Sequence, residues 1–113
     1  MTVAGIVITS ALDNYNAILV KTFDASCTGE QIQNVLSEIK NNNIEFHAKE
    51  IVETLIINGD KHIEMVLENI HYKTPKNIFN AVDDVWVCNI ENETSATIIG
   101  YDIEDGNITI LRV

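Results

Sequence analysis

The sequence predicts a single α+β domain, residues 1–113, in which an antiparallel sheet from both chain ends packs against two to four helices. Short apolar runs separated by turn-forming residues occur at both ends of the chain and indicate strands. Apolar residues at helical spacing occupy part of the interior. The chain is 46% hydrophobic and 21% charged, which is typical of a globular protein of this length with one core.

The N-terminal region predicts a β-hairpin. Residues 3–9 and 16–23 read as strands, and Asp13 and Asn14 between them favour a turn. The pattern therefore predicts two neighbouring strands joined by a longer loop.

A helix is predicted after this hairpin. Thr28 and Gln31 match a capping box, with Thr28 as the N-cap and Gln31 at the third helical position. Residues 41–43 are all asparagine, which tolerates the left-handed conformation that often follows a helix. The apolar residues of the predicted helix are Ile32, Val35, Leu36 and Ile39.

Residues 44–72 allow two interpretations. In the first, a helix ends at Gly59 and a second helix begins at Asp60. The apolar face of the first helix would be Ile44, Ala48, Ile51, Val52 and Leu55, and that of the second helix would be Ile63, Val66, Leu67 and Ile70.

In the second interpretation, Asn58 and Gly59 form the tight turn of a hairpin. That pairing places Glu53 opposite Glu64, and two like charges facing each other destabilise a hairpin. We therefore favour two helices. The cross-strand partners in the hairpin would be Val52, Thr54 and Ile56 with Met65, Ile63 and Lys61.

The C-terminal third begins with a short helix at Thr74 and Pro75 and continues as a three-stranded meander over residues 85–90, 95–103 and 107–113. Asp105 and Gly106 form its last turn. Pairing across this turn sets Ile103 against Ile108 and Tyr101 against Ile110, and we expect these four side chains to face the core.

No catalytic or cofactor motif is found. Cys27 precedes a helix N-terminus, where a thiolate is favoured, but its spacing equally fits packing against Ile32, which we prefer. Cys88 lies in a strand pattern and is expected to be buried, and two cysteines are too few for a disulfide framework. We expect a protein that is not an enzyme and uses no cofactor. We also expect it to be cytoplasmic, because the apolar run at residues 3–8 is too short for a membrane span and lacks the basic start of a signal peptide. Free thiols are the expectation for such a compartment.

No metal site is predicted either. The spacings of His47, His62 and His71 do not match the ligand patterns of zinc proteins. Residues 102–107 carry acidic side chains before a glycine, but the order of ligands is wrong for a calcium loop. The adjacent Asp83 and Asp84 are expected in a solvated turn.

The net charge is the feature that points to a partner. Seventeen acidic residues and seven basic residues give a formal charge of −10. Such a surface repels nucleic acid and attracts a basic protein over distances longer than a contact. The alternative explanation is that the acidity serves solubility.

The acidic residues fall into two regions of the sequence. Those of the central third are Glu45, Glu50, Glu53, Asp60, Glu64 and Glu68. Those of the later turns are Asp83, Asp84, Glu91, Glu93, Asp102, Glu104 and Asp105. Tyr72 and Trp86 lie beside these regions and are of the types that anchor protein interfaces.

In its small size, acidity and lack of a catalytic motif, the chain resembles the immunity proteins that bacteria use to neutralise nuclease toxins. The resemblance covers composition and no motif. It implies an acidic surface that binds a basic toxin tightly after electrostatically steered association. The contact residues predicted from local charge density are Glu50, Glu53, Asp60, Glu64, Glu68 and Tyr72.

Three other functions stay open at this point. A phage-type inhibitor that mimics nucleic acid would need acidic charge over one whole face. A structural or assembly subunit would form an oligomer that persists in high salt. A small thiol enzyme would use Cys27 together with a histidine.

Overall fold

The computed structural model of the chain describes residues 2–57, 62–69 and 81–113. These residues contain a six-stranded sheet and two α-helices, which confirms the α+β class. The strands are β1 (Ala4–Ser10), β2 (Tyr15–Lys21), β3 (Ile63–Glu68), β4 (Asp84–Asn92), β5 (Ser95–Asp102) and β6 (Ile108–Arg112). The α-helices are α1 (Thr28–Asn41) and α2 (Ala48–Ile57).

The sheet is mixed and mostly antiparallel, so the predicted antiparallel sheet is confirmed in part. The strand order is β3-β2-β1-β4-β5-β6, and the central pair, β1 and β4, is parallel while every other pair is antiparallel. Alternation across β1, β2 and β3 makes β3 parallel to β1 as well. The carboxyl ends of β1, β3 and β4 therefore meet at the same end of the sheet.

One hydrophobic core fills the space between the sheet and the two helices, on what we call the helix face. Alternate residues of the strands point to this face, as in Ile6 and Ile8 of β1. A fully buried aliphatic side chain of this kind contributes about 1.5–3 kcal/mol. The helices and their connection supply Ile32, Leu36, Phe46, Ile51, Val52 and Leu55, all fully or almost fully buried.

Helix α1 forms where its apolar spacing predicts it, but the predicted capping box is absent. Cys27 is the N-cap and makes no side-chain capping bond. The Thr28 hydroxyl instead donates to the Ala25 carbonyl at 2.6 Å, in the 3-10 turn that leads into the helix. The side chain of Gln31 accepts a bond from Lys21 Nζ at 2.8 Å. At the other end, Asn43 has a positive φ of 57°, as expected after a helix.

The middle of the chain contains the first helix of the two-helix interpretation and, after it, a strand in place of the second helix. Helix α2 forms, and its buried residues are those predicted for the helical face. The second predicted helix is wrong over residues 63–68, because this segment is β3 and pairs with β2. That pairing satisfies backbone groups of β2 that would otherwise stay open at a sheet edge. The predicted turn at Asn58 and Gly59 and the helix at Thr74 lie outside the described residues.

The predicted register of β5 with β6 is wrong. The Asp102 amide donates to the Asn107 carbonyl at 2.9 Å, so the connection is longer than a two-residue turn and Ile103 lies outside the strands. Tyr101 faces Ile108 rather than Ile110. The expected burial is also wrong, since Tyr101 and Ile108 are exposed on the face opposite the helices.

Candidate functional site

Acidic side chains gather at the end of the sheet where β1, β3 and β4 finish. Ser10 and Ile90 are neighbours there, and Glu68 ends β3. The Phe46 amide donates to the Glu93 carbonyl at 2.8 Å, which joins the segment before α2 to the β4–β5 turn. We call this region the acidic end, and its carboxylates are Asp13, Glu45, Glu50, Glu53, Glu68, Glu91 and Glu93.

Asp13 fixes the β1–β2 turn to the start of α2. Its Oδ2 accepts a hydrogen bond from the Ala48 amide at 2.7 Å, and its Oδ1 lies 3.4 Å from His47 Nδ1. The first amides of a helix lack partners within the helix, so a carboxylate placed there satisfies a donor and faces the positive end of the helix dipole. Asp13 was predicted only as a turn former, and its capping role depends on a residue 35 positions away.

A concavity of about 500 Å³ opens beside this cap. Its rim carries one lysine and one histidine against three carboxylates, so its local charge is acidic. The residues that line it are Asp13, Tyr15, His47, Lys49, Glu50 and Glu53.

Tyr15 connects the concavity to β3. The residue is 7% exposed and belongs to the core, while its hydroxyl donates a hydrogen bond to the Glu68 carboxylate. Burial, the bond to Glu68 and the charges of Glu68 and Glu53 raise the pKa of Tyr15 to about 12. Each of these causes disfavours the phenolate. The charges of Glu68 on β3 and Glu53 on α2 act on the same buried hydroxyl from two separate elements.

A β-bulge in the β2–β3 pairing decides which glutamates reach this site. Leu19 pairs with Met65 and Ile18 pairs with Leu67, so β3 carries one extra residue. Glu68 therefore pairs with Ala17, a residue of the helix face. Glu64 pairs with Val20 and points to the opposite face.

The structure thus brings together three of the six predicted contact residues, namely Glu50, Glu53 and Glu68. Glu64 is exposed but lies on the other face of the sheet, so it is not part of this site. Asp60 and Tyr72 lie outside the described residues. Tyr15 was missed, because its place under Glu53 arises only when α2 packs on the sheet.

A second acidic group lies at the other end of the strands. Asp84 and Asp102 face each other across β4 and β5, and Asp83 accepts a hydrogen bond from the Val3 amide at 2.8 Å. Burial first, and then the charges of Asp102 and Asp83, raise the pKa of Asp84 above its usual value. The six residue steps of β1 separate this group from the acidic end by roughly 20 Å. In the described part of the chain, these two acidic groups therefore lie at opposite ends of the strands and do not form one patch.

The two cysteines differ in environment. Cys27 is exposed, and its thiol donates to the Asp24 carbonyl at 3.1 Å. Its packing against Ile32 stays a prediction. Its Sγ lies 4.0 Å from Nζ of Lys21, which is only 2% exposed. Cys88 is buried as predicted, and burial raises the pKa of its thiol to about 12.

Among the described residues, no group of three or more histidine, cysteine or acidic side chains is placed to hold a metal ion. Within the same residues, no helix has the length and apolar content needed to span a membrane. Comparison with protein-family models, curated proteins and solved structures finds no match to the chain. Support for a function therefore comes from the residues of this chain.

Proposed function

We propose that this protein is an acidic inhibitor that binds and neutralises a basic protein, as immunity proteins neutralise nuclease toxins, and that the acidic end is its binding surface. The observation that carries the proposal is the convergence of Glu53 of α2 and Glu68 of β3 on the buried Tyr15. Two carboxylates held near one buried hydroxyl mark a local negative potential with a fixed geometry.

The shape of the site supports binding of a protruding basic side chain. The concavity is open, and Glu50 and Glu53 are exposed along one side of α2. A lysine or arginine entering it would meet carboxylates from α2 and from the β1–β2 turn. Ion pairs that form in such a partly desolvated concavity are worth more than pairs on an open surface.

The rigidity of the site also favours binding. The bond from Ala48 to Asp13 fixes the turn against the start of α2, and Tyr15, which Glu53 and Glu68 flank, is buried in the core. Groups held in place before association lose less conformational entropy when a partner binds.

The separation of the acidic end from the group around Asp84 bears on the nucleic-acid mimic considered above. A mimic needs negative charge along a whole face, whereas these two groups are roughly 20 Å apart along the strands. This separation favours a local protein-binding site at one end.

The test compares two charge reversals that leave the same net charge. Glu50→Lys with Glu53→Lys alters the acidic end, while Glu104→Lys with Asp105→Lys alters exposed carboxylates of the β5–β6 connection, next to Asp102 of the second acidic group. Each variant and the wild-type chain are immobilised and exposed at low salt to lysate of the source organism, and a protein retained by the wild type is purified for titration. We expect the first variant to weaken that binding about 100-fold and the second to change it less than about threefold.

A functional readout completes the test. If the purified partner cleaves nucleic acid, an equimolar amount of the wild-type chain should stop the cleavage, and the acidic-end variant should not. Equal loss of binding in both variants, or retention in both, would contradict the assignment of the acidic end.

A further inference from the structure

The face of the sheet opposite the helices carries exposed apolar side chains on β5 and β6. Tyr101 is 40% exposed, Ile108 is 61% exposed and Ile110 is 51% exposed. Cross-strand pairing extends them into two rows, so these are not scattered single residues. The rows are Val87, Ile99 and Ile110, and Val85, Tyr101 and Ile108.

Among the residues that the structure describes, no strand pairs with the outer edge of β6. Ala96 and Val113 exchange both of their backbone hydrogen bonds, which fixes the alternation along the β5–β6 pair. The amides and carbonyls of Ile108, Ile110 and Arg112 consequently point away from β5, to the edge of the sheet. Within the described residues, Gln33 reaches this edge, where its Nε2 donates to the Arg112 carbonyl at 3.3 Å. That carbonyl keeps a second lone pair.

The two edges of the sheet differ in how they resist pairing. Strand β3, at one edge, carries Glu64 and Glu68 and contains the bulge opposite β2. Charged residues and bulges are common protections against pairing of sheet edges. Strand β6 has the sequence Ile-Thr-Ile-Leu-Arg, which has no acidic residue and no proline, and its register with β5 is regular.

Charge complementarity identifies a second copy of this chain as the partner for this edge. Arg112 is the only arginine of the sequence and lies at one end of β6. Asp102, Glu104 and Asp105 surround the turn at the other end. When two β6 strands pair antiparallel about a two-fold axis, the arginine of each copy approaches the acidic turn of the other, so the same contact forms twice.

We propose that the chain forms a homodimer by antiparallel pairing of β6 with β6 of a second copy, with Ile110 at the two-fold axis. Ile110 of one copy then faces Ile110 of the other, and Ile108 faces the partner's Arg112. The apolar rows continue from one sheet into the other. The edge of β6 is separate from the acidic concavity, which lies beside β2 four strands away, so the dimer goes beyond the proposed inhibitor function.

The test is the sedimentation-equilibrium mass of the full chain, measured from about 1 μM to about 1 mM, because a single strand pair makes a weak interface. The wild type should shift with concentration from 12.6 kDa to twice that mass, and the shift should persist in high salt. Ile110→Lys places two ammonium groups opposite each other on the axis and should weaken dimerisation by about tenfold or more. Arg112→Glu should weaken it by a smaller factor.

Ile44→Lys is the matched control, because Ile44 is also 51% exposed but belongs to the loop that connects α1 to α2. It should dimerise like the wild type. A wild-type chain that stays at 12.6 kDa over the whole range, or a control that loses dimerisation as much as Ile110→Lys, overturns the proposal. Far-ultraviolet circular dichroism shows that each variant is folded. The variant with Glu50→Lys and Glu53→Lys should dimerise normally, which keeps this test distinct from that of the proposed function.

Discussion

Replacing Tyr15 with phenylalanine should change how stability depends on alkaline pH. The folded chain raises the pKa of Tyr15 from 10.0 to about 12, through burial and then through Glu68 and Glu53. One pKa unit corresponds to about 1.4 kcal/mol, so the shift is equivalent to about 2.7 kcal/mol between the two protonation states.

The sign follows from which state loses its proton first. Between pH 10 and about pH 12 the unfolded chain releases the phenol proton while the folded chain retains it. The unfolding free energy therefore falls as the pH rises through this window, and below pH 10 the full contribution is present. Tyr15→Phe lacks this contribution, so the wild type's stability relative to the variant should fall by up to about 2–3 kcal/mol across the window.

The assay is urea unfolding followed by the fluorescence of Trp86, the single tryptophan, at several pH values from neutral to alkaline. Absorbance at the phenolate band provides a second measurement, in which the variant should lose the transition near pH 12. Glu68→Gln is the control, since removing that charge should lower the pKa of Tyr15 and narrow the window. Parallel stability curves for wild type and Tyr15→Phe through the alkaline range would refute the reasoning.

Three further outcomes are expected. Gly100→Ala should lower the unfolding free energy by about 1–3 kcal/mol and alter the tryptophan fluorescence, because its methyl group would overlap the indole of Trp86; denaturant titration of both chains measures this. A thiol reagent at mildly alkaline pH should label Cys27 alone in the folded chain and Cys88 only after unfolding, since Cys88 is buried. Asp84→Asn should raise the melting temperature at neutral pH, and the gain should disappear in acid once Asp84 of the wild type is protonated, because the folded chain raises its pKa.

Sequence alone predicted the elements whose signals are local. Helix α1 and the buried face of α2 follow from apolar residues at helical spacing, which reports one-sided burial directly. Strand β3 could not be assigned this way, because Ile63, Val66 and Leu67 fit a helical face as well as a strand. Its pairing with β2 decides the outcome, and that pairing joins residues 42 to 51 positions apart in the chain.

The candidate site was predictable only in part for the same reason. Local charge density identified Glu50 and Glu53, which are three residues apart on one helix and therefore close in any packing. It grouped Glu64 with Glu68, yet the bulge places them on opposite faces of the sheet. Tyr15 carried no signal, because a tyrosine at the start of a strand is ordinary until a helix places carboxylates beside its hydroxyl.

The alternation in β5 and β6 shows a further limit of sequence patterns. Alternating apolar residues establish that Tyr101, Ile108 and Ile110 share a face, but not that this face is covered. The helix face of the same strands is filled by Ile98, Leu111 and their neighbours, so the exposed row has no role in the helix-side core. Apolar residues of this kind on an edge strand need another explanation, and pairing with a second copy provides one.

The two proposed surfaces also make a joint prediction. The acidic concavity lies beside β2, and β6 is four strands away, which is roughly 19 Å across the sheet. Dimerisation through β6 therefore leaves both acidic ends accessible and gives an assembly that binds two partner molecules. Calorimetric titration of the wild type should show one partner per chain whether or not the chain is dimeric, and Ile110→Lys should bind with the same affinity per chain. A partner affinity that falls together with dimerisation would show that the two surfaces are coupled, and the acidic end would then not be an independent site.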